Sequence, residues 1–270
     1  NIMIEYIKLI RPANCIMTAL AVYIGFVVAG GGTSLTVPVI LGMISAFLII
    51  AGGMAIDDYH DVEADKVIKK KKKRRPIASG KITKENALVA SGILFLIGLI
   101  SAYAINMMVF YIALFAVILL IIQARIKKII VVPNLINSFL VALSFVYGAV
   151  IGGNASAVLF LALLAFLANM GREIYKDIED VLGDKKIGRK TLALRIGVLN
   201  AKSIASMFVL AAVALSFVPF FLTFDYVYLF FVVIADIVFI GAVIAPLALR
   251  TKFCKIAMTI ALVAFYAAAI

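Results

Sequence analysis

The sequence has 270 residues and a net charge of +12, and 65% of its residues are hydrophobic while only 15% are charged. A soluble domain is nearer to half apolar, so this composition excludes an ordinary water-soluble domain and predicts an all-α, multi-pass membrane protein. A membrane-spanning helix needs ~20 predominantly apolar residues. Nine segments come close to this length, namely 12–30, 38–56, 85–104, 107–124, 131–151, 156–171, 201–221, 227–249 and 254–270.

The basic residues all fall on one side of the membrane if these nine helices alternate in direction. All 26 Lys and Arg residues lie near the N-terminus or in the segments 66–84, 125–128, 172–202 and 250–255. The positive-inside rule then places the N-terminus and these loops in the cytoplasm and the C-terminus outside. This segregation accounts for the positive charge without nucleic acid as a partner, and it predicts that the lysine run 69–73 faces anionic membrane lipids.

The acidic residues are concentrated at two points that are related by an internal repeat. Ten of the fourteen lie in "DDYHDVEAD" (57–65) and "EIYKDIEDVLGD" (173–184), where Asp58, Asp61 and Asp65 recur 119 residues later as Asp177, Asp180 and Asp184. Asn14 and Asn134 are similarly 120 residues apart. We therefore expect a single domain, 1–270, built from two four-helix pseudo-repeats of about 1–125 and 126–249 plus a ninth helix. Such repeats usually meet at the working site.

The spacing of these acids gives each segment a face of carboxylates. On a helix, Asp57, Asp61 and Asp65 drift by only ~80° around the axis. Two bare carboxylates ~4 Å apart repel by about 4 kcal/mol at an effective dielectric constant of 20, so divalent cations are expected between facing clusters. Oxygen ligands without His or Cys pairs indicate Mg²⁺ or Ca²⁺. The predicted metal ligands are Asp57, Asp58, Asp61, Asp65, Asp177, Asp180 and Asp184. The alternative is a pair of solvated, charge-balanced loops.

The same two stretches resemble the aspartate-rich motifs of the UbiA-type intramembrane prenyltransferases. "DDYHDVEAD…RRPIASGKIT" is similar to the first motif, and "DIEDVLGDKKIGRKTLALRIG" is similar to the second. The resemblance implies that the carboxylates bind Mg²⁺ ions, which in turn hold the diphosphate of a prenyl donor at the cytoplasmic side. The implied catalytic residues are Asp57, Asp61, Asp65, Asp180 and Asp184. Asp57 stands where the family often has Asn, and the loop before Pro76 looks longer than usual, so Arg74 and Arg75 receive no role.

The implied reaction is an ionisation followed by an alkylation, which requires cations at the diphosphate and a dry pocket for the allylic cation. The residues predicted to bind diphosphate or substrate are Asn14, Arg125, Lys127, Lys128, Asn134, Arg172, Lys176 and Lys185. Aromatic rings can stabilise the cation, and candidates include Tyr23, Tyr111 and Tyr147. We expect His60 to be solvated or to cap a helix, and Asp236, in the middle of a spanning segment, to have a polar partner.

Within this family the second motif looks closest to that of the archaeal digeranylgeranylglyceryl phosphate synthases. That resemblance implies geranylgeranyl diphosphate as donor and a lipid phosphate, geranylgeranylglyceryl phosphate, as acceptor. Eighteen Lys and Arg residues in 66–84 and 172–202 against ten acids also favour a second phosphate.

Two alternatives stay open at this point. One is a prenyltransferase that acts on an aromatic acceptor of a quinone pathway. The other is a cation-coupled transporter, which would carry its acids near the bilayer midplane rather than at helix ends. The D-G-x-x-A-R signature of another lipid enzyme class, the CDP-alcohol phosphotransferases, is absent from the sequence.

Overall fold

The structure, a computed structural model, describes residues 2–67, 75–126, 130–186, 188–222 and 226–270. Within these ranges every regular element is a helix, and eight helical segments are long and apolar enough to cross a membrane. The predicted all-α, multi-pass class is therefore confirmed. The helices are α1 Ile2–Ile10, α2 Pro12–Phe26, α3 Val37–Val67, α4 Lys84–Tyr103, α5 Met107–Arg125, α6 Val132–Gly152, α7 Leu159–Glu179, α8 Val181–Lys186, α9 Leu192–Ile196, α10 Val198–Leu215, α11 Val218–Leu222, α12 Tyr226–Ile244 and α13 Leu247–Ala267.

The ninth predicted span corresponds to α13, which differs from the other eight. This helix has 21 residues but carries Arg250, Lys252 and Lys255 in its first half, and it does not meet the composition of the other spans. The count of nine spanning helices therefore stays a prediction. The end of the eighth predicted span, 227–249, is wrong, because α12 ends at Ile244 and α13 begins at Leu247.

The two acidic motifs lie at the ends of α3 and α7. Helix α3 has 31 residues, which corresponds to roughly 46 Å, whereas the hydrocarbon core of a bilayer is about 30 Å thick. Helix α7 ends at Glu179, with Asp180 as its C-terminal cap, and α8 begins at Val181. The second acidic segment is therefore broken at Asp180 rather than forming one continuous helical face.

The N-terminal helices of the two predicted repeats cross at very short range. A methyl group at Gly25 of α2 would overlap the carbonyl oxygen of Phe145, and one at Gly148 of α6 would overlap that of Val22. Small residues at such a crossing let helix backbones pack closely inside a membrane. The residues that precede the two helices, Arg11 and Val131, both have a positive φ and are 120 residues apart. The repeat boundaries themselves stay a prediction.

Helix α1 lies outside the predicted spans. It exposes Ile2, Met3, Ile4 and Ile7, while Leu9 is buried against the end of α3 in a cluster that includes Val62. A short helix with one apolar exposed face is typical of a segment that lies in the membrane interface. The sequence analysis missed it because nine residues are too few to span a bilayer.

Candidate active site at the mouth of a buried cavity

A cavity of about 210 Å³ lies between α2, α3, α5, α6, α7, α10, α12 and α13. Its deep walls are mainly apolar and include Leu140, Phe145, Leu164, Val232, Phe239 and Phe265. Its mouth is charged and includes Arg11, Asn14, Asp57, Arg172, Glu173, Lys176 and Lys255. The cavity therefore has an apolar interior that suits a hydrocarbon tail and a charged mouth that suits an anionic headgroup.

The first acidic motif is held by two arginines. Asp58 is only 1% exposed and forms ion pairs with Arg11 and with Arg75, whose Nη1 lies 3.1 Å from Asp58 Oδ1. The Nε of Arg75 also lies 3.7 Å from Asp65 Oδ2. Burial by itself would lower the pKa of Arg11, but Asp58 and Asp57 outweigh burial and raise that pKa, so the guanidinium stays charged. Arg11 holds this position in the left-handed region, with a φ of 51°, which costs a non-glycine residue conformational energy.

The two acidic motifs meet at one residue, Arg189. Its Nη2 forms an ion pair with Asp61 of α3, and its Nη1 lies 3.5 Å from Asp184 Oδ1 of α8. Burial alone would lower the pKa of Arg189, but Asp61 and Asp184 raise it. The predicted convergence of the two motifs is therefore observed, with a guanidinium between them. The sequence analysis quoted Arg189 within the second motif but assigned it no role, because an arginine in a basic loop has no distinguishing pattern.

Asp177, also in the second motif, contacts α6. Asn134 Nδ2 donates to Asp177 Oδ2 at 2.7 Å, so the predicted substrate-binding Asn134 contacts a carboxylate of the motif. Asp180 is half-buried at the end of α7. Glu173, which the sequence analysis did not single out, is 5% exposed and lines the cavity.

The predicted substrate-binding residues divide into two groups. Asn14, Arg172 and Lys176 line the cavity mouth, whereas Arg125 and Lys185 are exposed on the surface away from it. Lys127 and Lys128 lie outside the described residues, as do Arg74 and the lysine run 69–73.

The aromatic candidates lie elsewhere than expected. None of Tyr23, Tyr111 and Tyr147 lines this cavity; Tyr111 is 57% exposed on the outer surface, and the Tyr147 hydroxyl donates to Ser45. The aromatic lining consists of Phe145, Phe239 and Phe265. Hydropathy does not report which way a uniformly apolar helix faces, so the sequence carried no signal for this choice.

Two isolated polar residues behave as expected. Asp236 lines the deep part of the cavity, and the hydroxyl of Ser216 lies 2.6 Å from its Oδ2, which supplies the predicted polar partner. His60 is exposed at the end of α3 and packs edge-on against Tyr59 with ring centroids 5.1 Å apart.

The chemistry of the mouth fits magnesium bound together with a phosphate ligand. In the part of the chain that the structure describes, no three His, Cys, Asp or Glu side chains are gathered closely enough to hold an ion by themselves. Mg²⁺ is usually bound by one or two carboxylates together with substrate phosphates and water, so a complete protein cage is not required. The motifs supply oxygen donors alone, and Asp61 and Asp184 already share a cation, the guanidinium of Arg189.

Comparison with known proteins agrees with this geometry. The model of the UbiA prenyltransferase family matches residues 17–268. Among similar proteins, the digeranylgeranylglyceryl phosphate synthase of Methanopyrus kandleri is 39% identical over 80% of this chain and 78% of its own length. That of Methanococcoides burtonii is 38% identical over 96% and 98%.

Two solved structures share the fold. One is described as digeranylgeranylglyceryl phosphate synthase in membranes; it is 33% identical with a TM-score of 0.79 and covers 99% of this chain and 98% of its own. The other, a UbiA homolog from Archaeoglobus fulgidus bound to GPP and Mg²⁺, is 21% identical with a TM-score of 0.74 over 98% and 99% of the two chains. The chain belongs to the UbiA prenyltransferase family and is an intramembrane prenyltransferase.

Proposed function

We propose that this protein transfers a geranylgeranyl group from geranylgeranyl diphosphate to the glycerol hydroxyl of geranylgeranylglyceryl phosphate and releases diphosphate. The curated relatives that match nearly the whole chain carry the name of this activity. In this proposal the protein synthesises an archaeal membrane phospholipid precursor.

The observation that carries the proposal is the ion pairing of Arg189 with Asp61 and Asp184 beside an apolar cavity. It brings two oxygen-rich motifs together next to a space that suits a hydrocarbon tail. The diphosphate of a prenyl diphosphate suits the two motifs, and its prenyl tail suits the apolar cavity. A cation-coupled transporter has no need of an apolar cavity behind its acidic residues.

Five carboxylates are proposed to hold Mg²⁺ with the donor diphosphate: Asp57, Asp61, Asp65, Asp180 and Asp184. When bound, Mg²⁺ neutralises the charge that develops on the leaving diphosphate. Asp58 and Asp177 were included as metal ligands on sequence grounds. Because Asp58 is paired with Arg11 and Arg75, and Asp177 accepts from Asn134, we now propose that these two position the motifs.

In the proposed reaction the bond between C1 of the donor and its bridging oxygen breaks, and its electron pair leaves with the diphosphate. The glycerol oxygen of the acceptor then bonds to C1 and loses its proton. The guanidinium of Arg189 and the cations of the cavity mouth hold anionic oxygens in place, which is a positioning role. The apolar walls, including Phe145, Phe239 and Phe265, keep water away from the reacting carbon.

We also propose that the cavity mouth faces the cytoplasm in the cell membrane, with the N-terminus on the same side. Both acidic motifs lie at the ends of α3 and α7, and Arg189 joins them, so they occupy one end of the bundle. The positive-inside rule selects the cytoplasmic side for that end, because the adjoining loops hold most of the Lys and Arg residues.

The orientation is tested by labelling single cysteines with a membrane-impermeant maleimide in intact cells. In a chain whose buried Cys15 and Cys254 are replaced by Ala, cysteines are introduced at Ser34 and Lys186, which are exposed, and at Lys84, whose side chain is 41% exposed. We expect labelling at position 34 in intact cells and at 84 and 186 only after lysis. Labelling of 84 and 186 on opposite sides would refute the topology.

The metal dependence is tested by chelation and by carboxylate variants. Activity should disappear in EDTA and return with Mg²⁺, and Asp61→Asn and Asp180→Asn should each lower turnover by roughly 100-fold or more, because charge stabilisation at the leaving group is lost. Glu63→Gln is the matched control, since Glu63 lies on α3 beside Asp61 with its side chain 73% exposed. Full activity of either aspartate variant, or of the enzyme in chelator, contradicts the two-motif site.

The acceptor is tested by direct competition under one donor. Purified protein with labelled geranylgeranyl diphosphate is given equal concentrations of geranylgeranylglyceryl phosphate and 4-hydroxybenzoate. We expect the label in the lipid phosphate, because the apolar walls of the cavity suit the hydrocarbon tail that 4-hydroxybenzoate lacks. Prenylation of the aromatic acid without the lipid would leave the family unchanged and show that the proposed acceptor is wrong.

A further inference from the structure

The mouth of the cavity has two chemically different sides. One side is formed by the end of α3, where the carboxylates of the first motif lie. The other side is formed by α7 and α13, which present Arg172, Lys176 and Lys255 to the cavity. Among the cavity-lining residues that the structure describes, Glu173 is the carboxylate on that second side.

Glu173 is shared between two cations. Its Oε1 accepts from Arg172 Nη1 at 2.5 Å, and its Oε2 accepts from Lys176 Nζ at 3.0 Å. Arg172 Nη1 also donates to Asn169 Oδ1 at 3.2 Å, while its Nε is buried without a hydrogen-bond partner among the described residues. The carboxylate of Glu173 therefore pairs with both cations, and the Nε of Arg172 has no acceptor among the described residues.

Lys255 is held by a neutral group. Its Nζ donates to Asn14 Oδ1 at 2.9 Å, and no ion pair joins it to a carboxylate in the described part of the chain. The carboxylate of Asp177 is engaged by Asn134 and does not line the cavity. Partly burying an ammonium group without an anion is unfavourable, so this arrangement is best satisfied by an anionic ligand.

The charge of this side matches one particular ligand class. Three cations and one carboxylate leave a surplus of two positive charges. A phosphate monoester carries a charge of about −1.5 to −2 at pH 7, and Lys and Arg form charge-assisted hydrogen bonds with it. The amides of Asn14 and Asn169 lie beside the same cations.

We propose that Arg172, Lys176 and Lys255 bind the phosphate monoester of the acceptor lipid and that Lys255 determines the specificity for a phosphorylated acceptor. The inference rests on the proposed function. It divides the mouth into a donor side, where the diphosphate binds at the carboxylates of the two motifs, and an acceptor side, where the phosphate binds at α7 and α13. The acceptor tail then enters the cavity from the α13 side.

The test is the variant Lys255→Met with the two substrates varied separately. We expect the KM for geranylgeranylglyceryl phosphate to rise roughly tenfold, as for the loss of one charge-assisted hydrogen bond. The KM for geranylgeranyl diphosphate and the kcat should stay within about twofold of wild type. The preference for the phosphorylated lipid over unphosphorylated geranylgeranylglycerol should fall by the same factor as the KM rises, and Lys255→Arg should restore most of it.

Lys252→Met is the matched control. Lys252 lies one turn earlier on α13, is exposed and does not line the cavity, so its removal should change neither KM. Turnover of the unphosphorylated lipid serves as the internal check on folding, because it does not require the phosphate site. If Lys255→Met is inactive on both lipids, Lys255→Gln keeps a hydrogen-bond donor for Asn14 and is measured in the same way.

A rise in the donor KM instead of the acceptor KM would overturn the inference and assign Lys255 to the diphosphate. An unchanged preference between the two lipids would overturn it as well. Both outcomes require a wild-type enzyme that uses the lipid phosphate. A wild type that does not use this acceptor is a failure of the proposed function, and the two failures are therefore distinguishable.

Discussion

The shared ion pairing of Arg189 with Asp61 and Asp184 is the interaction on which the site depends. The two aspartates come from helices in different halves of the sequence, and without a cation between them their charges would repel. Arg11 and Arg75 do the same for Asp58 within the first motif. The protein thus gathers many carboxylates at one end of an apolar bundle by placing arginines among them.

The packing of the apolar helices positions the residues of this charged mouth. Helices α2 and α6 cross at Gly25 and Gly148 with backbones in direct contact, which fixes the ends that carry Arg11 and Asn134. The cavity behind them is lined by apolar side chains from eight helices. A hydrocarbon tail fits this mainly apolar space, in which the deep carboxylate of Asp236 is paired with Ser216, while its headgroup remains at the mouth. The cavity has an apolar interior and a charged mouth, and each proposed substrate has an apolar tail and a charged headgroup.

Much of this architecture follows from the sequence. Runs of apolar residues predicted where each span lies, because the thickness of a bilayer fixes the length of a span. They did not predict how far α3 and α7 continue, to Val67 and Glu179, because the apolar runs end where the acidic motifs begin. The internal repeat predicted that the two motifs meet. Repulsion between carboxylates predicted divalent cations between them, and the structure places the guanidinium of Arg189 between Asp61 and Asp184. The single carboxylate face expected for the second acidic segment is not formed, because α7 ends at Glu179 and α8 begins at Val181.

Other features had no readable signal. The direction in which a uniformly apolar helix faces depends on packing, so Phe239 and Phe265 could not be distinguished from the tyrosines as cavity residues. Arg189 and Lys255 lie in basic segments whose charges the positive-inside rule already explains, and only their contacts separate them from Arg125 and Lys185. Helix α1 is too short for a hydropathy criterion and is defined by its packing on α3.

The central claim is that the two motifs form one site through Arg189, and a double-mutant cycle tests it most directly. The apparent unfolding temperature of purified protein without Mg²⁺ is measured for Asp61→Asn, Arg189→Gln and the double variant. We predict that the double variant is no less stable than the less stable of the two single variants, because either change alone already breaks the ion pair. The coupling free energy between the two changes should be on the order of 1–3 kcal/mol. Additive losses would contradict the claim and would mean that the two motifs are independent of each other.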